Sequence, residues 1–268
     1  MPVPVNLSAS DITATSVRLN WVAGALNPLQ ALINSLFGAS EQGAFYIPMP
    51  VVNGEQALFQ DSAGTVPVTA DGDPVGKMID QSGNANHATQ SVSGSRPVYR
   101  TDGVLHWLQF DGADDRLNTS DLIFMAGTNT SHFMVGAVML SRVGNSGVLT
   151  VAKSSGNSLS QRSIASTFSN WKSDVRGGSI SSAVDALTTS VLDALFLNGN
   201  TLGFGAYPAY ETISQPFDTA NGVLSLGTGL VSEAPNKIFG VIALDREMSE
   251  DQKNQSAEYI ASISGVTL

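Results

Sequence analysis

EQGAFYIPMP (residues 41–50), LFQDSAGTVPVTADGDPVGKMIDQSGNANHATQ (58–90), RPVYR (96–100) and LHWLQFDGADDRL (105–117) decide how this chain folds. Almost every piece sets a turn device beside a short apolar run. In DSAGT (61–65) an Asp placed to accept backbone N–H groups precedes a Gly suited to positive φ. ADGDPVG (70–76) runs an Asp-Gly turn into a Pro-Val-Gly turn, and DQSGNANHATQ (80–90) is a further polar turn with Asp80 as acceptor. Arg96 is spaced to pair one of these aspartates. Short strands punctuated this way build a sandwich or a barrel, and such a loop scaffold stands without a ligand.

The pattern continues downstream. Runs 133–140, 147–151, 163–168, 194–197, 223–226 and 238–244 are rich in β-branched and aromatic residues and are separated by Gly, Asn, Asp and Pro. Runs 133–140 and 238–244 are apolar almost throughout, which places them at the centre of the inner sheet. The chain closes in a helix, MSEDQKNQSAEYIASISG (248–265). Ser249 and Gln252 form a capping box, and Glu250 and Asp251 favour the positive end of the helix dipole. Ala257, Ile260, Ala261 and Ser264 make a narrow packing face, and Gly265 is the stop.

The N-terminal end differs. In residues 4–24, Leu7, Ile12, Val17, Leu19 and Trp21 are spaced as two short strands around the polar turn 13–16. Two strands cannot bury Val17 and Trp21 by themselves. The pair is either an extra hairpin on the sandwich edge or a docking arm. NPLQALINSLF (27–37) then reads as a helix with Asn27 as cap, Pro28 in the first turn and Gly38 as stop. Its stripe of Leu29, Leu32, Ile33 and Leu36 either lies on the sandwich or joins the arm in assembly.

Composition narrows the function. The 268 residues carry a net charge of −10, which repels phosphate backbones and argues against nucleic-acid binding. Charged residues are 13% of the chain, against about 25% in an average soluble domain, so Ser, Thr, Asn and Gln must supply the polar surface. With no cysteine, neither a disulfide framework nor a Cys-based zinc site can form. No run approaches the roughly 18 apolar residues of a membrane span, so no membrane insertion is expected. MPVPVNLSASD lacks the basic and apolar regions of a signal peptide.

Catalytic spacing is missing. The Glu-x-Asp-x-x-Glu pattern of paired glycosidase carboxylates does not occur, nor do G-x-S-x-G or HExxH. Of the three histidines, His87 sits in a polar turn, and His106 and His132 border strands as packed or edge residues. Asp111, Asp114 and Asp115 cluster within five residues. They form either a solvated acidic turn or an oxygen-ligand site, with calcium as the one cofactor that chemistry admits. A sugar site needs an aromatic platform beside amides or carboxylates. Trp171, Tyr207 and Tyr210 lie in polar, loop-like stretches with Asn170 beside them, although aromatics in β domains more often fill cores. Trp107, inside HWLQF, reads as core or sheet surface.

These pieces resemble a known set. Residues 41–48 (with Phe45 where the related sequences carry Trp), 58–90 almost residue for residue, RPVY (96–99), FDGADDRL (110–117) and DREMSEDQ (245–252) with its following helix are similar to concanavalin A-like (laminin G-like) lectin/glucanase-type domains of bacteriophage virion proteins. The likeness covers residues 41–268 and is weak from 140 to 222. Residues 4–24 resemble the first two strands of a fibronectin type III domain and no more of it. The resemblance implies an all-β fold, with a concanavalin A-like jelly-roll sandwich over 41–268, an arm and connector helix over 1–40, and a C-terminal helix. It implies a virion protein assembled in the bacterial cytoplasm. The expected partners are other virion proteins, reached through the arm, further copies in a homo-oligomer, and host-surface glycan. Two roles remain open: a tail- or fibre-associated adhesion module contacting host carbohydrate or a receptor, and a head decoration or fibre subunit without a ligand. Neither is an enzyme.

Overall fold

The computed structural model describes residues 27–120, 130–141, 146–152, 162–166, 170–175, 178–197, 201–214, 223–227 and 235–268. The arm, with Val17 and Trp21, lies outside them. The elements are α1 (Pro28–Phe37), β1 (Gly43–Tyr46), β2 (Val51–Val52), β3 (Glu55–Gln56), β4 (Leu58–Phe59), β5 (Lys77–Met78), β6 (Ala88–Thr89), β7 (Val98–Thr101), β8 (His106–Phe110), β9 (Leu117–Asn118) and β10 (Ser131–Met139). There follow β11 (Ser146–Ala152), β12 (Arg162–Ser166), β13 (Asn170–Val175), β14 (Gly178–Asp185), β15 (Ser190–Leu197), β16 (Thr201–Ala206), β17 (Glu211–Ser214), β18 (Val223–Leu226), β19 (Asn236–Leu244) and α2 (Glu250–Ser264).

Two antiparallel sheets face each other in a jelly-roll-like sandwich. The first runs β17-β16-β15-β10-β19-β8-β7, with β1 also paired to β19. The second runs β14-β13-β12-β11-β18-β9-β6-β5-β4. The two apolar runs, now β10 and β19, are neighbours in the middle of the first sheet, as their composition predicts. Their sequences do not alternate because both faces are covered. Phe133, Val135, Ile238 and Val241 point into the core between the sheets, while Met134, Ile242 and Leu244 point into a second apolar layer beneath the helices. Among the described residues no helix is long and apolar enough to cross a membrane.

The turn block folds around its aspartates. Buried Asp80 accepts from the N–H groups of Phe45 (2.8 Å), Ser82 (2.9 Å) and Asn86 (3.0 Å). Asp61 does the same for Thr65 and Val66, both at 2.8 Å. Arg96 departs from expectation. It donates to the backbone carbonyls of Gln90 and Ser91, at 3.1 and 3.2 Å.

Asn27 caps α1 as its sequence predicts, accepting from the Gln30 N–H at 2.7 Å. Gly38 follows the helix with φ −71°, and only glycine fits there, since a Cβ would lie 2.3 Å from the Asn34 carbonyl oxygen. Leu29, Leu32, Leu36 and Phe37 are buried against α2 and the first sheet, with Ile33 packed at the margin. The assembly role expected for this stripe is therefore corrected, because the chain covers it by itself. Gln252 donates to the Ser35 carbonyl (2.6 Å) and Arg246 to that of Leu36 (3.3 Å), serving two carbonyls that the end of α1 leaves open.

Helix α2 has the predicted capping box and the left-handed Gly265, φ 72°. It lies close to the sheet because Gly136 and Gly240 face each other across β10 and β19 beneath it. A Cβ on either would come within 2.9 Å of Ile260.

Candidate functional site

The residues expected to hold a sugar do not come together. Trp171, on β13, is fully buried in the core between the sheets. The stretch NWKSDV is polar apart from Trp171 and Val175, which makes it look like a loop in sequence. Asn170 spends its amide on the Ser182 carbonyl at 2.9 Å. Tyr207 and Tyr210 lie on the opposite side of the first sheet, at the margin of α2. The Tyr207 hydroxyl donates to Asn254, and the Lys253 ammonium sits 4.9 Å above the Tyr210 ring. Burial holds the Tyr210 phenol far above its ordinary range, and Asp193, Glu247 and Glu250 add to the effect. The platform of Trp171, Tyr207, Tyr210 and Asn170 is thus corrected: its two halves are separated by a sheet.

Asp111, Asp114 and Asp115 do converge, with ligand atoms within 4.8 Å of one another. Each is also engaged within the protein, Asp111 and Asp115 in their own turn and Asp114 with an earlier segment. Asp115 accepts from the Asp111 N–H (3.0 Å), Asp111 from the Ala113 N–H (2.8 Å) and Asp114 from the Ser95 hydroxyl (2.5 Å).

A polar cluster that the sequence reading missed sits under α2. The Met248 N–H donates to His132 Nδ1 at 3.0 Å, so that nitrogen accepts and Nε2 donates to Asp193 at 2.5 Å. Lys253 Nζ lies 3.8 Å from the other Asp193 oxygen. His132 is 0% and Asp193 2% exposed, so no substrate reaches the pair. It pins the start of α2 to β10 and β15. A lone Asp inside VLDALFL (191–197) was the available signal.

One strip of the first sheet's outer face escapes the helices, at β7, β8 and the start of β19. Alternation in HWLQF sends Leu108 and Phe110 inward and Trp107 and Gln109 outward. Arg100 is directly opposite Trp107, and Gln109 is opposite both Val98 and Lys237. Trp107 is part-exposed, its ring 5.9 Å from that of Phe239, with the Lys237 ammonium 4.2 Å from the ring centre. Arg100 reaches Asp71 at 3.1 Å, with both side chains well exposed.

Beside this strip β19 changes partner. Residues 236–238 pair with β8 and residues 241–244 with β1, which leaves Phe239 between them. A cleft of about 170 Å³ opens there, lined by Ile47, Pro48, Met49, Val104, His106 and Phe239. Val104 is 81% exposed at its lip. His106 is held by the Tyr99 hydroxyl at 2.5 Å, and burial lowers its pKa against the opposing pull of Asp102. Ring, amide, two cations and cleft suit the contact of a saccharide: an aromatic surface for C–H groups and donors for hydroxyls and carboxylates. The period-two reading of HWLQF was the signal for this strip.

No protein-family model matches the sequence, and no curated protein matches it. Solved structures do resemble it. A GH54 α-L-arabinofuranosidase soaked with a cyclic sulfate inhibitor aligns with a TM-score of 0.59 at 13% identity, over 89% of this chain and 66% of that one. A structure of botulinum neurotoxin type C, whose cell entry depends on interaction with two ganglioside molecules, aligns at 0.53 and 10% identity, over 86% and 53%. Domain 4 of AbnA, a GH43 extracellular arabinanase from Geobacillus stearothermophilus, in complex with arabinotriose, aligns at 0.51 and 12%, over 66% and 91%. The chain thus spans about half to two thirds of the arabinofuranosidase and neurotoxin chains. At such identities the likeness is one of fold.

Proposed function

We propose that this chain is a phage virion protein whose sandwich serves as a non-enzymatic adhesion module for host-surface carbohydrate, through the strip around Trp107. The observation that carries this is the strip itself. Elsewhere the centre of that sheet face is sealed by α1 and α2, yet here an indole stays part-exposed between Lys237, Arg100 and Gln109. Lys237, with Arg100 already paired to Asp71, leaves the strip a net positive charge on a chain of net charge −10, which favours an acidic saccharide. Lys237 has no carboxylate within ion-pair distance among the described residues, so its ammonium is free to move from the ring to a ligand carboxylate. The resemblance of residues 41–117 to phage lectin-like domains supports the virion setting. The shared fold with an arabinotriose-bound domain and a ganglioside-dependent toxin supports carbohydrate as the ligand class.

The strip reads as a binding surface and not a catalytic one. Asp71, the carboxylate that contacts the strip, is committed to Arg100 and the Thr101 N–H (2.9 Å), and among the described residues no second carboxylate pairs with it there as glycoside hydrolysis would need. Single sites of this kind bind at around millimolar Kd, and repeated copies supply avidity. The test is a glycan array probed with bead-displayed wild type and Trp107→Ala. Retention of acidic glycans by wild type and their loss from the variant supports the reading. If wild type retains nothing, a decorating subunit without a ligand is the better reading.

A further inference from the structure

The outer surface of the helical layer carries a groove that the fold leaves empty of its own side chains. It lies between α1 and α2, measures about 370 Å³, and is lined by Pro28, Ala31, Leu32, Gln255, Glu258, Tyr259 and Ser262. The helices run antiparallel, because Gln252 meets Ser35 at one end while Pro28 and Ser262 share the other. Leu32 is 3% exposed, and Tyr259 stands edge-on to Phe45 with ring centres 5.7 Å apart. Burial pushes the Tyr259 phenol up to about 12. An outward helix surface is ordinarily polar, so an apolar groove on it needs an occupant.

We infer that this groove receives the chain's own N-terminal segment, with Trp21 as the inserted side chain. Pro28 is both the first residue of α1 and part of the groove wall, so residues 1–26 join the fold at the groove's end. That segment holds Val17, Leu19, Trp21, Val22 and Leu26, more apolar surface than a two-stranded pair buries alone. Reach is sufficient. The groove follows α2 from Gln255 to Ser262, about 10 Å at 1.5 Å per residue. The six-residue step from Trp21 to Asn27 extends to about 20 Å, with Gly24 available for a reversal. Charge agrees as well, since Arg18 is the sole cation of residues 1–26 and Glu258 the sole carboxylate of the groove. Covalent attachment raises the local concentration of the segment to about millimolar, which favours it over a second copy. Trp21 is thereby assigned an internal role in place of the assembly role its sequence suggests.

The chain has no cysteine, so engineered pairs report cleanly. In the full-length protein, Ala23→Cys is combined in turn with Ala31→Cys, Gln255→Cys and Ser262→Cys, all at exposed groove positions. Val92→Cys, 60% exposed, serves as the remote control. Mild oxidation is followed by mass spectrometry and a non-reducing gel. An intrachain disulfide in at least one groove pair, formed ten times faster than with Val92→Cys and slowed to the control rate by Trp21→Ala, supports the inference. Dimer-only crosslinks would assign the groove to a second copy's arm, and either equal rates at all positions or indifference to Trp21→Ala would exclude docking by Trp21. Each of these three results overturns the proposal.

Discussion

Replacing Gly136 with alanine should destabilise the protein through a single contact. The new Cβ would stand 2.8 Å from Ile260 Cγ2, 3.4 Å from Ser264 Cβ and 3.5 Å from Phe239 Cβ. The first distance is too short for two carbons, so Ile260 must turn or α2 must lift. Ile260 has little room to turn, because its Cδ1 is seated over Gly240 beside the Cδ1 of Ile263. Overpacking of this kind costs about 1–3 kcal/mol, and the stiffer unfolded chain returns about 0.4–1 of it. The net loss is about 0–2.6 kcal/mol, with a mid-range value of about 1.3 kcal/mol, or a few degrees of Tm. Ile260→Ala alone should cost about 2–5 kcal/mol by leaving a cavity. In the double variant the added methyl occupies part of that cavity, so the combined loss should fall short of the sum by at least 0.5 kcal/mol, the usual scale of coupling between touching residues being about 0.5–3. Urea unfolding of all four proteins, followed by circular dichroism, measures the cycle. Strict additivity, or a Gly136→Ala protein more stable than wild type, would refute the account of how α2 is seated.

Three further outcomes are expected. Asp193→Ala should cost about 3–5 kcal/mol, since it strips partners from His132 and Lys253 under α2, and Asp193→Asn should cost less; equal stability of Asp193→Ala and wild type in urea would contradict this. The Asp61 carboxyl, held at about 2 by the N–H of Val66, then by the hydroxyl and N–H of Thr65, should titrate well below an ordinary aspartate in an NMR carboxyl titration. Its folded value is depressed, so its contribution to stability is complete above an ordinary aspartate pKa of about 4 and is lost as pH falls toward about 2; a midpoint near 4 would contradict the turn geometry. Since Asp111, Asp114 and Asp115 already accept hydrogen bonds from the protein, calcium and EDTA should leave Tm unchanged, and a calcium-dependent rise would make the turn a metal site.

Where chemistry is local, the sequence was legible. Asn27 and the Ser249–Gln252 box cap the helices they mark, because a cap needs only residues within one turn. The apolar runs in β10 and β19 announced burial on both faces, and they are central. Gly38 stops α1 where the sequence places the stop, but its αR backbone and the crowding against Asn34 leave no trace in sequence. Trp171 and Tyr210 were misread for a related reason. NWKSDV is a polar strand that reads as a loop, Tyr210 does lie between strands, and in both cases what covers the aromatic ring comes from far along the chain. The His132–Asp193–Lys253 cluster joins β10, β15 and α2, so no spacing reveals it. Trp107 was open to a period-two reading, and its exposure depended on where α2 ends.

The most direct measurement follows the indole resonances. The chain has three tryptophans, so a ¹⁵N-labelled sample has at most three indole N–H signals, assignable by Trp107→Phe and Trp171→Phe. Titration with sialyllactose and with a galacturonic acid trisaccharide, each to several millimolar, should shift the Trp107 signal in a saturable way with at least one of them. The Trp171 signal, from the sealed core, should stay in place, and Lys237→Gln should weaken the shift several-fold. A Trp107 signal that ignores both sugars, or a shift that survives Lys237→Gln undiminished, would contradict the carbohydrate strip.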